Sequence, residues 1–138
     1  IINEYDNAIR YNDFVVREII EKVKSKNENS YVLYFSDHGD EVFDTIDFVG
    51  HNEYHGTKPM YEVPFVVWFS KKYKQTNPEL FNIENIHQRP YLLEDFIHSF
   101  SNISNITFDK YETEKSIFSN KFSIKKRLIK KGEDYDKR

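Results

Sequence analysis

Two short apolar runs, parted by a long acidic stretch with neither helical nor strand periodicity, constrain this chain more than any other feature. The first is Tyr31-Val-Leu-Tyr-Phe35 and the second is Val63-Pro-Phe-Val-Val-Trp-Phe69. Both are rich in aromatic and β-branched residues, and Pro64 sits near the start of its run, where a missing N–H is tolerated. Runs of this length and make-up predict strands buried on both faces, as in parallel sheets. Ahead of the first run, Asn3 to Lys26 reads as a helix. Ile9, Val16, Ile20 and Val23 form its apolar stripe, widened by Ala8, Val15 and Ile19, while Arg17, Glu18, Glu21, Lys22 and Lys24 face away. After the second run, Lys71 to Asn85 is polar and loop-like. Arg89 to Phe100 reads as a helix with Pro90 in its first turn and Leu93, Phe96, Ile97 and Phe100 on one face. Asn102 to Asn120 fits no period, and the stretch from Lys121 to Arg138 has a weak alternation at Phe122 and Ile124. Helix, strand, loop, strand, helix predicts an α/β layered fold, with the loop at a strand's carboxyl end, where open α/β sheets hold their ligands.

Composition removes several classes. No cysteine among 138 residues excludes disulfides, thiolate metal sites and cysteine nucleophiles. A net charge of −3 gives no reason to expect nucleic acid as a partner. No stretch is apolar enough to span a membrane. The first residue is Ile and a helical pattern starts almost at once, so the chain is expected to be a fragment of something longer.

Chemistry concentrates between Ser36 and Met60. This segment carries Asp37, Asp40, Glu41, Asp44, Asp47 and Glu53, with three of the five histidines, His38, His51 and His55. Asp37 and His38 leave the strand end together and offer a carboxylate oxygen and an imidazole nitrogen, which suit Zn²⁺ and, less tightly, Mn²⁺. Gly39 permits a sharp turn or a close backbone approach. A third ligand must come from elsewhere, and His51 or His55 is within reach of the loop. The same tripeptide also serves elsewhere as a plain polar turn. Two further histidines carry no motif: His87, and His98, whose helical position suits surface or packing.

In chain order, Asn3-Glu-Tyr-Asp-Asn7, Tyr34-Phe-Ser-Asp-His-Gly-Asp-Glu41, Gly50-His-Asn52 and Met60-Tyr-Glu-Val-Pro-Phe-Val-Val-Trp68 together resemble a known family. They are similar to the carboxyl-terminal part of bacterial phosphoethanolamine transferases, of the sulfatase/alkaline phosphatase superfamily, and lean toward those that modify the lipopolysaccharide core. The resemblance is strong over residues 3–70 and looser beyond. It implies an alkaline phosphatase/sulfatase-like fold with a mainly parallel sheet flanked by helices. Residues 1–138 would be the carboxyl-terminal portion of a periplasmic catalytic domain, without its amino-terminal half or membrane helices.

The resemblance further implies that Asp37 and His38 bind the catalytic zinc, with manganese as a second candidate. His51 completes the metal site or holds the substrate phosphate, with His55 as second choice for that place. The reaction implied moves phosphoethanolamine from phosphatidylethanolamine to lipopolysaccharide at the inner membrane, through a threonine nucleophile. Thr45, Thr57, Thr76, Thr107 and Thr113 do not stand in the nucleophile's context, so that residue is expected upstream and the fragment alone inactive. A cut sheet edge would invite pairing between copies. The basic run Lys125 to Lys131 suits either anionic lipid headgroups or a solvated tail. Two other readings stand beside this one: a hydrolytic sulfatase or phosphoesterase of the same superfamily, and a non-catalytic α/β binding module.

Overall fold

The structure is a computed structural model that describes residues 1–137, so Arg138, the last residue of the stretch that begins at Lys121, lies outside the described residues. The chain divides into two compact units, the first Ile1–Thr76 and the second from Asn77 onward.

The first unit opens with helix α1, Ile2–Ser25, within a residue of the span its apolar spacing predicts. Val15, Val16, Ile20 and Val23 are half-buried on one face, and α1 packs against strand β1, Tyr31–Phe35. The Asn12 amide donates to the Tyr34 hydroxyl across that contact at 2.8 Å. Ile9 and Ile19, expected on the stripe, remain about half exposed. Strand β4, Phe65–Phe69, pairs with β1 in the register Tyr31↔Phe69 through Phe35↔Phe65. Cross-strand rings line up at both ends, with Tyr31 and Phe69 6.3 Å apart and Phe35 and Phe65 6.1 Å apart.

Two expectations are corrected here. The α/β class holds, but this pair is antiparallel, whereas a mainly parallel sheet was expected. A parallel return needs a crossover that runs the length of the sheet, usually a helix. The helix in the connection, α2 at Lys58–Tyr61, has only four residues, so the chain turns back at the end it left. Nor are the strands buried on both faces: every β1 residue is half-buried, and Val66 of β4 is exposed.

The connecting segment also contains more order than its sequence suggested. Strands β2, Glu41–Val42, and β3, Val49–Gly50, form a two-residue antiparallel hairpin with Glu41↔Gly50 and Val42↔Val49 opposite. After β4 the segment expected to be a loop begins with helix α3, Lys71–Thr76. The Ser70 hydroxyl caps it by accepting the Tyr73 N–H at 3.1 Å. Tyr73 is buried against Phe69 and Tyr31, with centroids at 4.9 and 5.7 Å. Packing of that ring outweighs the polar make-up of the rest of the helix.

In the second unit, α4 runs Phe96–Ser104, preceded by a single 3-10 turn at Leu93–Asp95. It starts later than Pro90 suggested, because Leu92 is still extended, as is Arg89 ahead of the proline. For Arg89, the side chain is engaged with a later segment: its guanidinium donates to the carbonyls of Ile117 and Ser119, both at 2.6 Å, and lies 5.0 Å over the Phe122 ring. The buried face of α4 is His98, Ser99, Ser101 and Ile103, while Ile97, expected inside, is exposed. His98 is a packing residue: its Nδ1 accepts the Glu112 N–H at 3.0 Å between the rings of Phe108 and Tyr111. The basic run is partly neutralised within the unit. Lys125 pairs with Glu94 at 2.6 Å and Asp95 at 2.7 Å, and Arg127 pairs with Asp136.

Candidate metal centre

The site grows out of the carboxyl end of β1. Ser36 turns the chain by donating its hydroxyl to the His38 carbonyl at 2.7 Å. Gly39 then passes so close to the α2 segment that its N–H donates to the Met60 carbonyl at 3.0 Å. A Cβ here would lie 2.0 Å from the Pro59 carbonyl oxygen and 2.6 Å from that of Glu62, so only glycine fits. The close backbone approach expected of Gly39 is therefore made to residues 59–62.

The β2–β3 hairpin brings the distant histidine back. Asp40 directly precedes Glu41 and His51 directly follows Gly50, so the two residues flank the Glu41↔Gly50 pair at the hairpin's open end. His51 Nδ1 lies 2.9 Å from Asp40 Oδ1. The rings of His38 and His51 lie with centroids 3.5 Å apart and planes tilted by 35°, and His38 Nδ1 is 3.9 Å from the same Asp40 oxygen. His38, Asp40 and His51 each offer one ligand atom, all within 4.8 Å of one another. Two imidazole nitrogens and one carboxylate oxygen suit Zn²⁺, which holds such atoms at about 2.0–2.2 Å.

Of the residues singled out by sequence, the fold thus joins His38 and His51. The Asp37 side chain is 90% exposed and outside that trio, with its Oδ1 3.9 Å from His38 Nε2. His55 stands apart, its ring 4.8 Å from Phe48 and its N–H donated to the Asn52 side chain at 2.8 Å. Asp40 was legible only as one acid among many. Its pairing with His51 depends on the hairpin, and the mirrored run Val42-Phe43…Phe48-Val49 was the signal that could have revealed it.

Two further groups belong to the surroundings. Burial pushes the Tyr5 phenol of α1 up, and the charges of Asp40, Asp44 and Asp6 add to this, which puts the start of α1 in the field of the acidic loop. Glu41 is fully buried. Burial alone would raise its carboxyl, but it accepts the Thr45 N–H at 2.7 Å and the Thr45 hydroxyl at 2.6 Å. With lesser help from the Thr57 hydroxyl and the Asp44 backbone, these hold it ionised, with a pKa of about 2.

The family model described as Sulfatase matches residues 1–106. The phosphoethanolamine transferase EptC of Escherichia coli is 39% identical over 137 residues, and so is CptA of Salmonella typhimurium. Each match covers 98% of this chain and 23% of the relative, so the chain spans about a quarter of the length of those proteins. Among solved structures, the C-terminal periplasmic domain of EcEptC from Escherichia coli superposes with a TM-score of 0.90 at 37% identity. That match covers 97% of this chain and 40% of the other. A complex of the same domain with zinc gives a TM-score of 0.86 at 36% identity, over 97% of this chain and 39% of the other.

Proposed function

The chain belongs to the sulfatase family, and from that premise we propose that it is the carboxyl-terminal portion of the periplasmic catalytic domain of a membrane-anchored phosphoethanolamine transferase. The observation that carries the reading is the convergence of His38, Asp40 and His51 at the end of β1. The zinc complex of a similar domain supports zinc as the ion, and nothing comparable supports manganese.

In this reading His38, Asp40 and His51 would hold the ion, and Asp37, one residue from His38, would be a further carboxylate ligand. Zn²⁺ bound there would offset negative charge on phosphoryl oxygens, the main electrostatic demand of phosphoryl transfer. The chain's own residues do the positioning. Gly39 pins the turn against residues 59–62, and the hairpin holds His51 facing His38. His51 also stands ready to donate to a substrate phosphate, with His55 on the same loop as the second candidate. The donor would be phosphatidylethanolamine and the acceptor lipopolysaccharide, approached from the inner membrane. The nucleophilic threonine would lie outside this chain. Within it, Thr45 is committed to Glu41 and the Thr57 hydroxyl is buried.

The test is transfer itself. Gram-negative cells without their own transferase would express the full-length protein, and their lipopolysaccharide would be weighed by mass spectrometry. Wild type should add phosphoethanolamine, His38→Ala should add none, and His51→Ala should fall to a small fraction of wild type. Chelation of zinc from the purified protein should remove activity and lower the melting temperature together. Unmodified lipopolysaccharide with wild type, or full transfer with His38→Ala, would defeat the reading. Hydrolysis of a sulfate or phosphate ester without transfer would favour the hydrolytic branch of the family instead.

A further inference from the structure

The hairpin that sets Asp40 against His51 has only two paired residues on each strand, too few to be stable by itself in water. Something else must fix it. The turn that joins its strands has Phe43 in the left-handed region at φ 64°, a strained setting for an aromatic residue. The Phe43 N–H donates to the Phe48 carbonyl at 3.1 Å, and the Val42 N–H to Asp44 at 3.2 Å. A further tie is Glu41, whose carboxylate has no exposed surface and takes both the N–H and the hydroxyl of Thr45. Beside it lies the buried hydroxyl of Thr57, which has no partner in good hydrogen-bond geometry among the described residues. Thr57 immediately precedes α2, whose backbone clamps Gly39. One buried carboxylate thus faces both the hairpin turn and the segment that pins the His38 end of the site.

We propose that Glu41 is the positioning residue of this metal centre: it binds no ion, and its buried carboxylate fixes the Asp40–His51 pair at ligand spacing. The proposal rests on the metal-site reading above and deepens it. A buried charge is retained at a cost in desolvation, met here by donors that all belong to the loop around the site. Without the carboxylate, the Thr45 N–H and hydroxyl lose their buried acceptor, and the short hairpin loses a tie that keeps its register.

The experiment is a Zn²⁺ titration of the purified full-length protein at a temperature well below melting, with metal-free melting temperatures measured in parallel. Wild type is compared with Glu41→Ala, Glu41→Gln, Thr45→Val and Ser70→Ala. Ser70→Ala loosens the first unit at the α3 cap, away from the hairpin, and so controls for destabilisation alone. Loss of outer-shell partners typically lowers metal affinity about 10–100-fold. Glu41→Ala should show that loss, and Thr45→Val about 10-fold. Glu41→Gln should recover part of it, since the amide can still accept the Thr45 N–H. Ser70→Ala should bind like wild type. Should Glu41→Ala fail to fold, Thr45→Val decides, because Thr45 lies on the surface and its truncation keeps the buried carboxylate. Glu41 and Thr45 variants that bind within about 2-fold of wild type would overturn the positioning role and leave the metal site standing. A wild-type protein that takes up no zinc would overturn the metal reading itself, and this inference with it.

Discussion

At the scale of single residues, the site depends on positions where chemistry leaves little choice. Gly39 is the plainest case: its conformation is ordinary, but there is no room for a side chain between it and the carbonyls of residues 59 and 62. Gly39→Ala should therefore destabilise the first unit by about 3 kcal/mol or more, since backbone cannot yield as a flexible side chain does. A chemical denaturation curve would check this, and a loss below about 1 kcal/mol would contradict the packing described. Sequence alone marked this glycine, because it follows an Asp-His pair at a strand end. It could not mark Asp40 above Asp37, since both flank the same histidine and glycine and differ only in which way the folded backbone turns them.

At the scale of elements, what was legible depended on how local the stabilising interactions are. Helix α1 was readable over nearly its whole length because its period is carried by its own residues. Helix α3 was not, because it is short and polar, with one buried ring at Tyr73. Its local signal was the Ser70 cap ahead of Lys71, Lys72, Lys74 and Gln75, all good helix formers. Ser70→Ala should cost about 1 kcal/mol, the usual worth of such a cap. The loss should appear as a lower midpoint in urea with an unchanged slope. The Ser70 hydroxyl also accepts the Ser30 N–H at 3.1 Å, so it ties the start of β1 to the end of β4 as well. A cost nearer 2 kcal/mol would reflect that second bond, and no cost would remove Ser70 as a cap.

At the scale of the whole molecule, the two units differ in what holds them. The first is organised around the β1–β4 pair and the loop that joins its strands. The second is held by a buried polar network that the sequence showed only as scattered serines. Ser99, fully buried, bonds the Tyr91 hydroxyl at 2.6 Å and accepts the Ile117 N–H at 3.0 Å. Burial pushes the Tyr91 phenol up to about 12, against the Ser99 bond and with the help of Asp95. The folded state therefore favours the neutral phenol more than the unfolded state does. Its contribution is complete below about pH 10 and is lost as pH climbs through about 12. Thermal melts across that window should show the second unit weakening, and Tyr91→Phe should flatten the decline. The variant should also cost about 1 kcal/mol at neutral pH, through the lost Ser99 bond. An equally steep decline in Tyr91→Phe would assign the effect to other groups, Lys125 among them. Burial would lower the Lys125 pKa, but Asp95 and Glu94 raise it on balance, so the stability from that pairing is also lost as pH rises.

The sequence by itself determined the α/β class, the first helix, the two apolar strands and the Asp-His-Gly exit from the first of them. Each is written in neighbouring residues, through side-chain period, β-branched and aromatic content, or one small residue where the chain must turn. It also carried the family, because four ordered motifs survive at fixed spacing without reference to any contact. Tertiary structure alone decided that β1 and β4 run antiparallel, that Asp40 meets His51, and that Glu41 is buried while Asp37 is not. Those outcomes depend on hydrogen-bond register and on which surfaces exclude water. Both are properties of segments brought together from opposite ends of the loop, and no local pattern specifies them.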